Sequence, residues 1–213
     1  MHSCTKARCD RCLMHLELCL CAEIPVLPTR SRLSLLMHSQ ERHKPSNTGR
    51  LALLCLPNSE VRYRGLPDRT PLDLSGLVDD EYESWMLHLS PESEVITPKL
   101  VAKTIKPVRL LVLDGNWSQA SRLGQKLSRQ LPSVKHVILR AEKPSEYRLR
   151  SEHHPDGMAT FEAIARAMGF LEGPEVQEKM ERLFRMMTDR VLWTRGKLPA
   201  SEVLGGIPGS RKQ

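Results

Sequence analysis

The sequence predicts an α/β protein with a largely parallel β-sheet, and three observations carry that expectation. Short apolar runs alternate along the chain with stretches of helical period. One of these runs, Leu110 to Leu113, leads straight into Asp114-Gly115-Asn116-Trp117 and then into a helical pattern. The last third of the chain carries two further helical patterns.

Taken in order, residues 1 to 24 are rich in Cys and basic residues and lack an apolar period. Pro25 and Pro28 close this segment, which reads as a small appendage to a main domain expected over residues 25 to 200. Arg32 to His38 alternates like a strand, and a polar loop follows to Asn47. Thr48-Gly49-Arg50 then opens a short helix through Leu56, capped by Asn47 or Thr48 and stopped by Pro57-Asn58. Residues 58 to 83 read as irregular, with turns at Gly65-Leu66-Pro67 and Thr70-Pro71. Strands are expected at Trp85 to Leu89, ending in Ser90-Pro91, at Arg109 to Leu113, and at Val134 to Leu139 after the Leu131-Pro132 break. Helices are expected from Trp117 to Arg129, from Thr160 to Phe170, and from Glu175 to Trp193. The last of these repeats Val176, Met180, Leu183, Met187 and Val191 on a helical period. Residues 201 to 213, with glycines at 205, 206 and 209, read as a flexible tail. No internal repeat is visible.

Composition narrows the class. A chain of 213 residues, 40% hydrophobic, buries one sizeable core. Mean hydropathy is −0.37, and no apolar run approaches the ~20 residues of a membrane span. No leader-like apolar stretch follows the first Met, so the expected location is the cytoplasm. The net charge of +7 and pI of 9.3 suit a polyanionic partner, most simply nucleic acid. With only 4% aromatic residues, a wide base-stacking platform is not expected, and phosphates would fall to Arg and Lys.

Cys9-x2-Cys12-x6-Cys19-x-Cys21 places four thiols within thirteen positions. Two close pairs with a short spacer suit a tetrahedral metal site, with thiolates at ~2.3 Å from zinc. A structural zinc is favoured over free core cysteines, and an iron–sulfur cluster is a lesser alternative. Disulfides would require an oxidising compartment, which nothing here indicates. Four filled positions leave no open site on such a zinc. Lys6, Arg8 and Arg11 flank the thiols and either offset their charge or present a basic rim to RNA. Cys55 reads as a small buried hydrophobe.

The Asp114 turn is the leading site candidate, because ligands of open α/β sheets bind at the carboxyl ends of strands. The plain alternative is that Asp114 caps the next helix, although Ser118 offers a cap of its own.

Several pieces in order make the chain resemble the DTW-domain family, the tRNA-uridine aminocarboxypropyltransferases. They are the cysteine cluster, His38-Ser39-Gln40-Glu41, Asn47-Thr48-Gly49, Leu89-Ser90-Pro91, and Asp114-Gly115-Asn116-Trp117 with Ser118-Gln119-Ala120. Tyr147-Arg148-Leu149-Arg150 and Ala159-Thr160-Phe161-Glu162-Ala163 complete the set, from about residue 9 to about 170. Two positions depart from the family pattern: Asn116 stands where Thr is usual, and Ala159 where Ser is usual. The resemblance implies a SPOUT-like sheet with a C-terminal trefoil knot. It implies S-adenosylmethionine as donor of its 3-amino-3-carboxypropyl group, and a tRNA uridine N3 as acceptor. Asp114 is then the expected general base, stronger if its pocket excludes water.

On that reading three loops form the cofactor pocket: Leu89-Ser90-Pro91, Leu113 to Trp117 through Gly115, and the segment after Leu139. Backbone N–H groups of Asn47, Thr48 and Gly49 would hold the methionine carboxylate. Thr160 and Glu162 complete the pocket. Glu162 either binds the amino group or caps its helix, with neither reading ahead. Trp117 is expected to brace the turn. Arg140, Lys143, Arg148 and Arg150 are the expected RNA contacts, set against a solvated charged face interleaved with Glu142 and Glu146. The pair His153-His154 reads as plain surface. A monomer is expected. A SPOUT methyltransferase and a non-catalytic zinc-knuckle RNA binder are the alternative functions.

Overall fold

The computed structural model describes residues 7 to 45, 47 to 140, 145, 147 to 149 and 158 to 208. Its centre is a six-stranded, all-parallel sheet: β1 (Arg32–His38), β2 (Ser59–Arg64), β3 (Glu83–Leu87), β4 (Glu94–Val95), β5 (Val108–Asp114) and β6 (Lys135–Ile138), ordered β2-β1-β5-β3-β6-β4. The helices are α1 (Gly49–Cys55), α2 (Pro98–Val101), α3 (Trp117–Gln130), α4 (Thr160–Glu172) and α5 (Pro174–Thr194).

Strand alternation sends side chains to two different layers. Leu33, Leu35, Met37, Leu110, Val112 and Trp85 face the larger core, which α1, α4 and α5 close and where Phe161 stacks on Phe184 at 5.4 Å. Leu36, Met86 and Leu111 face a smaller core made by Leu123 and Leu127 of α3 together with Leu77. Buried on both faces, β5 reads as a nearly continuous apolar run, as central parallel strands do.

The segment at 58 to 83, read as irregular, contains an edge strand. β2 pairs with β1 over six residues, from Leu33 with Ser59 to His38 with Arg64. Its sequence, Ser-Glu-Val-Arg-Tyr-Arg, hid it: charged residues line one face because they meet a polar layer there instead of an apolar one. The short β4 and α2 were also not anticipated.

The cysteine segment is tied to the main domain. Leu18 and Leu20 are buried in the larger core, and Arg190 of α5, itself buried, donates to the carbonyls of Leu18 at 3.3 Å and Cys19 at 2.6 Å. Residues 201 to 208, expected as part of a flexible tail, pack instead of hanging free. Val203 and Ile207 are buried, and Arg190 Nε donates to the Gly206 carbonyl at 3.1 Å. No helix among the described residues is long and apolar enough to cross a membrane.

Candidate active site and metal centre

Asp114 is the last residue of β5, a strand flanked on both sides, and is 4% exposed. Alternation points its side chain to the α1–α4 face. There Asn47 Nδ2 donates to Oδ2 at 2.5 Å and Thr160 Oγ1 donates to Oδ1 at 2.7 Å. The donors come from the starts of two helices, and both contacts suit an ionised carboxylate. Asn47 also caps α1, because its Oδ1 accepts from Arg50 N at 3.1 Å. Gly49 leaves space for the acid, since a Cβ there would lie 3.1 Å from both Asp114 Oδ2 and Thr160 Cγ2. Thr48 is buried and its hydroxyl accepts from Phe161 N at 3.4 Å.

Asp114 does not cap α3. Asn116 does, accepting from Gln119 N at 2.9 Å while Gln119 Oε1 accepts from Asn116 N at 3.0 Å. This capping box uses Asn in the place where Thr is usual, and it leaves the acid free of helix-capping duty. Gly115 is needed under it, because a Cβ would come within 2.8 Å of Gln119 Oε1. Trp117, expected to brace the turn, instead stands on the surface at 56% exposure. As the first residue of α3 it is carried outward from both cores.

At α4, Ala159 has no acceptor to offer, so only half a box forms. Glu162 Oε2 accepts from Ala159 N at 3.0 Å and from the Ser145 hydroxyl at 2.5 Å. The buried Glu162 therefore sits in the capping arrangement. On the other side of β5, Ser90 bonds His136 Nδ1 at 2.7 Å and Ser93 at 3.0 Å, while Leu89 is 70% exposed and Pro91 is exposed. Leu113 is half-buried against the smaller core.

His88, just past β3, is packed so closely under α3 that a Cβ on Gly124 would lie 2.3 Å from its ring. Burial and the nearby His136 hold its imidazole below the usual range. Burial and Arg64 do the same to His38. Arg64, at the end of β2, donates to the Gln119 carbonyl at 2.8 Å. Neither histidine nor Arg64 was singled out from the sequence as a site residue. The register of the edge strand β2 was the signal that would have found Arg64.

The four sulfurs of Cys9, Cys12, Cys19 and Cys21 lie within 4.8 Å of one another, with Cys9 to Cys21 at 3.5 Å and Cys12 to Cys19 at 3.8 Å. This donor set can hold a tetrahedral zinc ion. The N–H of Cys12 brings the Cys9 thiol down to about 6, whereas burial pushes Cys12 and Cys21 up. A divalent cation bound there would supply the charge that makes four adjacent thiolates compatible. No disulfide forms among the described cysteines.

Of the expected RNA contacts, Arg8, Arg11 and Arg140 are exposed. Arg8 bonds the Leu13 carbonyl at 2.9 Å and His15 at 3.1 Å, bracing the knuckle beside a cavity of about 270 Å³ that Met14, Tyr147 and Arg195 also line. Arg148 is exposed as well, but its guanidinium is paired with the buried Asp189 of α5. Lys6, Lys143 and Arg150 lie outside the described residues, as do Cys4, Glu142, Glu146, His153, His154 and most of the loop after Leu139.

A parallel sheet that gathers a buried acid and the starts of three helices at the end of a central strand defines an open α/β domain, with its candidate site where such sheets commonly bind ligands. The chain matches the DTW domain over residues 6–192 and belongs to that family. It is 26% identical over 177 residues to tRNA-uridine aminocarboxypropyltransferase 2 of Mus musculus, covering 80% of this chain and 58% of that one. It is 27% identical over 173 residues to the Macaca fascicularis protein of the same name, covering 78% and 57%. With tRNA-uridine aminocarboxypropyltransferase A of Arabidopsis thaliana it shares 27% identity over 208 residues, covering 84% and 78%. The chain thus spans somewhat over half the length of its two mammalian relatives. No solved structure gives a significant match.

Proposed function

We propose that this protein transfers the 3-amino-3-carboxypropyl group of S-adenosylmethionine to N3 of a uridine in tRNA. The observation that carries the reading is Asp114, buried at the end of a central strand and held by Asn47 and Thr160 within a DTW domain. The names of the relatives supply the reaction and the RNA class.

Asp114 accepts the N3 proton of the uridine and so turns a poor nucleophile into a good one. A carboxylate has about four acceptor sites, which lets one group be both held and reactive. Asn47 and Thr160 fix its direction, and Gly49 admits it. When bound, S-adenosylmethionine would supply a methylene carbon activated by its sulfonium, with a neutral thioether as the leaving group. The protein's part is to position the reactants and choose which carbon faces N3.

Cofactor fit rests on the loops after β5, β3 and β6, which the strand order sets side by side. Leu89 and Trp117, on two of these loops, leave apolar surface open that an adenosine would cover. Leu113, Gly115, Ser90 and Pro91 belong to the same loops. In this reading Asn47, Thr48, Gly49, Thr160 and Glu162 shape the wall around Asp114. A SPOUT-type trefoil knot belongs to the same proposal, supported by three adjacent loops on strands out of chain order. The four cysteines hold a structural zinc, and the protein works as a monomer.

The test uses purified protein, unmodified tRNA and S-adenosylmethionine labelled either in the methyl group or in the carboxypropyl arm. Label reaching RNA from the arm alone is the expected result. Label from the methyl makes the protein a methyltransferase, and label from neither, with tRNA still bound, makes it a binding protein.

A further inference from the structure

We propose that Arg64, with Arg122 on the adjoining turn of α3, anchors a phosphate of the RNA beneath the Asp114-Gly115 turn, on the α3 face of the sheet. The inference rests on the tRNA reading above and names residues for it that neither the family pieces nor the relatives single out.

Arg64 ends β2, opposite His38 of β1. Its guanidinium comes up under the Asp114-Gly115 turn: Nη2 would lie 3.7 Å from a Cβ on Gly115 and bonds the Gln119 carbonyl at 2.8 Å. Among the described residues no carboxylate forms an ion pair with it, unlike Arg32 and Arg109, whose Nε atoms are equally without a hydrogen-bond partner but whose charges meet Glu60. Its neighbours add positive charge. Arg122 lies close enough to disfavour the Arg64 cation further, after burial has done so. Arg122 is exposed and, among the described residues, bonds only within its own helix, to the Ser118 carbonyl at 3.1 Å and hydroxyl at 2.7 Å. Both cations sit at the first turns of α3, the end where the helix dipole is already positive. Glu41, on the loop after β1, is taken by Lys44 at 2.6 Å.

A guanidinium partly withdrawn from water, facing another cation and a helix start without an acid, is unfavourable in the free protein. An oxyanion entering there relieves all three penalties at once, and the planar donor fork of Arg suits a phosphate. Sheet order and face together separate the two anions that could be meant. β5 lies between β3 and β6, whose loops make the proposed cofactor pocket, and β1 and β2, which bring His38 and Arg64. The expected cofactor carboxylate site at Asn47 to Gly49 also follows β1, but it lies on the α1–α4 face, whereas Arg64 lies on the α3 face; the anion at Arg64 is therefore assigned to the acceptor strand of RNA and not to the cofactor.

Equilibrium tRNA binding across a salt series tests this with the parent protein, Arg64→Gln, Arg64→Lys and Arg122→Gln, alongside S-adenosylmethionine binding and a melting curve for each. We expect Arg64→Gln to bind tRNA several-fold more weakly, with a log–log salt slope shallower by about 0.7–0.9, one phosphate's worth. Arg64→Lys should keep the slope, Arg122→Gln should make it shallower, cofactor affinity should hold in all, and melting should stay level or rise where a cation is removed. Unchanged slopes in folded Arg64→Gln and Arg122→Gln overturn the proposal. So does a loss of cofactor affinity with the tRNA slope intact, which would give Arg64 to the cofactor carboxylate. A lower melting point with unaltered tRNA binding would make Arg64 a brace for α3. If Arg64→Gln does not fold, the slope of the exposed Arg122→Gln decides. A parent protein that binds no tRNA at any salt sinks the functional reading itself, an outcome distinct from these.

Discussion

Two arginines on the same face of the same sheet, Arg109 at the amino end and Arg64 at the carboxyl end, have opposite surroundings. Arg109 is 5% exposed, pairs with Glu60 at 3.2 Å and with Asp79, and lies over the Tyr82 ring. Around it the charges are matched. Arg62 and Arg32 also reach Glu60, and Lys135 reaches Glu83 and Glu94. Burial works against the Glu60 charge, yet the Ser34 hydroxyl and Arg62, with Arg32, hold its carboxyl below the usual range. Asp79 is likewise held down, against its burial, by the N–H groups of Tyr82 and Glu81 and by Arg109. At the carboxyl end Asn47 and Thr160 donate to Asp114, and among the described residues no carboxylate pairs with Arg64. One end neutralises its own charge and is architecture. The other leaves charge for a ligand to neutralise, as functional sites commonly do at some cost in stability.

The sharpest contrast comes from one substitution at each end. Asp114→Asn should lower transfer by about 10²–10⁴-fold, the usual share of a general base, with cofactor binding and melting little changed. Stability survives because Asn Oδ1 still accepts from Asn47, and the Thr160 hydroxyl can rotate to accept from the new amide. Parent-like transfer would remove Asp114 from the chemistry. Arg109→Met should do the reverse, costing about 3–5 kcal/mol of stability by leaving Asp79 and Glu60 short of a buried partner. The low end applies because Glu60 keeps Arg62 and Arg32. Specific activity of the folded fraction should be normal. Urea titration gives the first quantity and a single-turnover assay the second.

Acid should separate the ends more gently. His88 and His38 have folded values below 6.5, so the unfolded chain binds more protons as pH falls past that point. Their contribution to stability is whole above 6.5, declines through the window down to their folded values, and levels there. The Glu60 and Asp79 contributions are whole above about 4.5 and fade only below it. Melting points from pH 7 down to pH 5 should therefore report the two carboxyl-end histidines and, in metal-free protein, the Cys9 thiol, but not Glu60 or Asp79. His88→Gln should flatten that slope. An unaltered slope would mean that His88 is not held neutral in the fold.

Much of this molecule was legible in the chain. The alternation of apolar runs and helical periods located β1, β3, β5, β6, α1, α3, α4 and α5, and cysteine spacing located the cluster, because each signal is local. Asp114 could be singled out because a strand, an acid, a glycine and a helix start are contiguous in sequence. What could not be read was who touches whom. Asn47 and Thr160 lie 67 and 46 residues from Asp114 and meet it only once α1 and α4 pack on the same face. The capping role passed to Asn116, and Glu162 turned inward as half a capping box, because helix starts must satisfy their own N–H groups first. Arg148 went to Asp189 and Trp117 to the surface for reasons of position alone. β2 was invisible because a polar edge strand has no apolar period. Sequence by itself determined the elements, the cysteine cluster and the acid, all set by near neighbours along the chain. Only the tertiary structure decided which arginine is matched and which is left for a partner, because charge pairing depends on strand order and register and not on spacing in the chain.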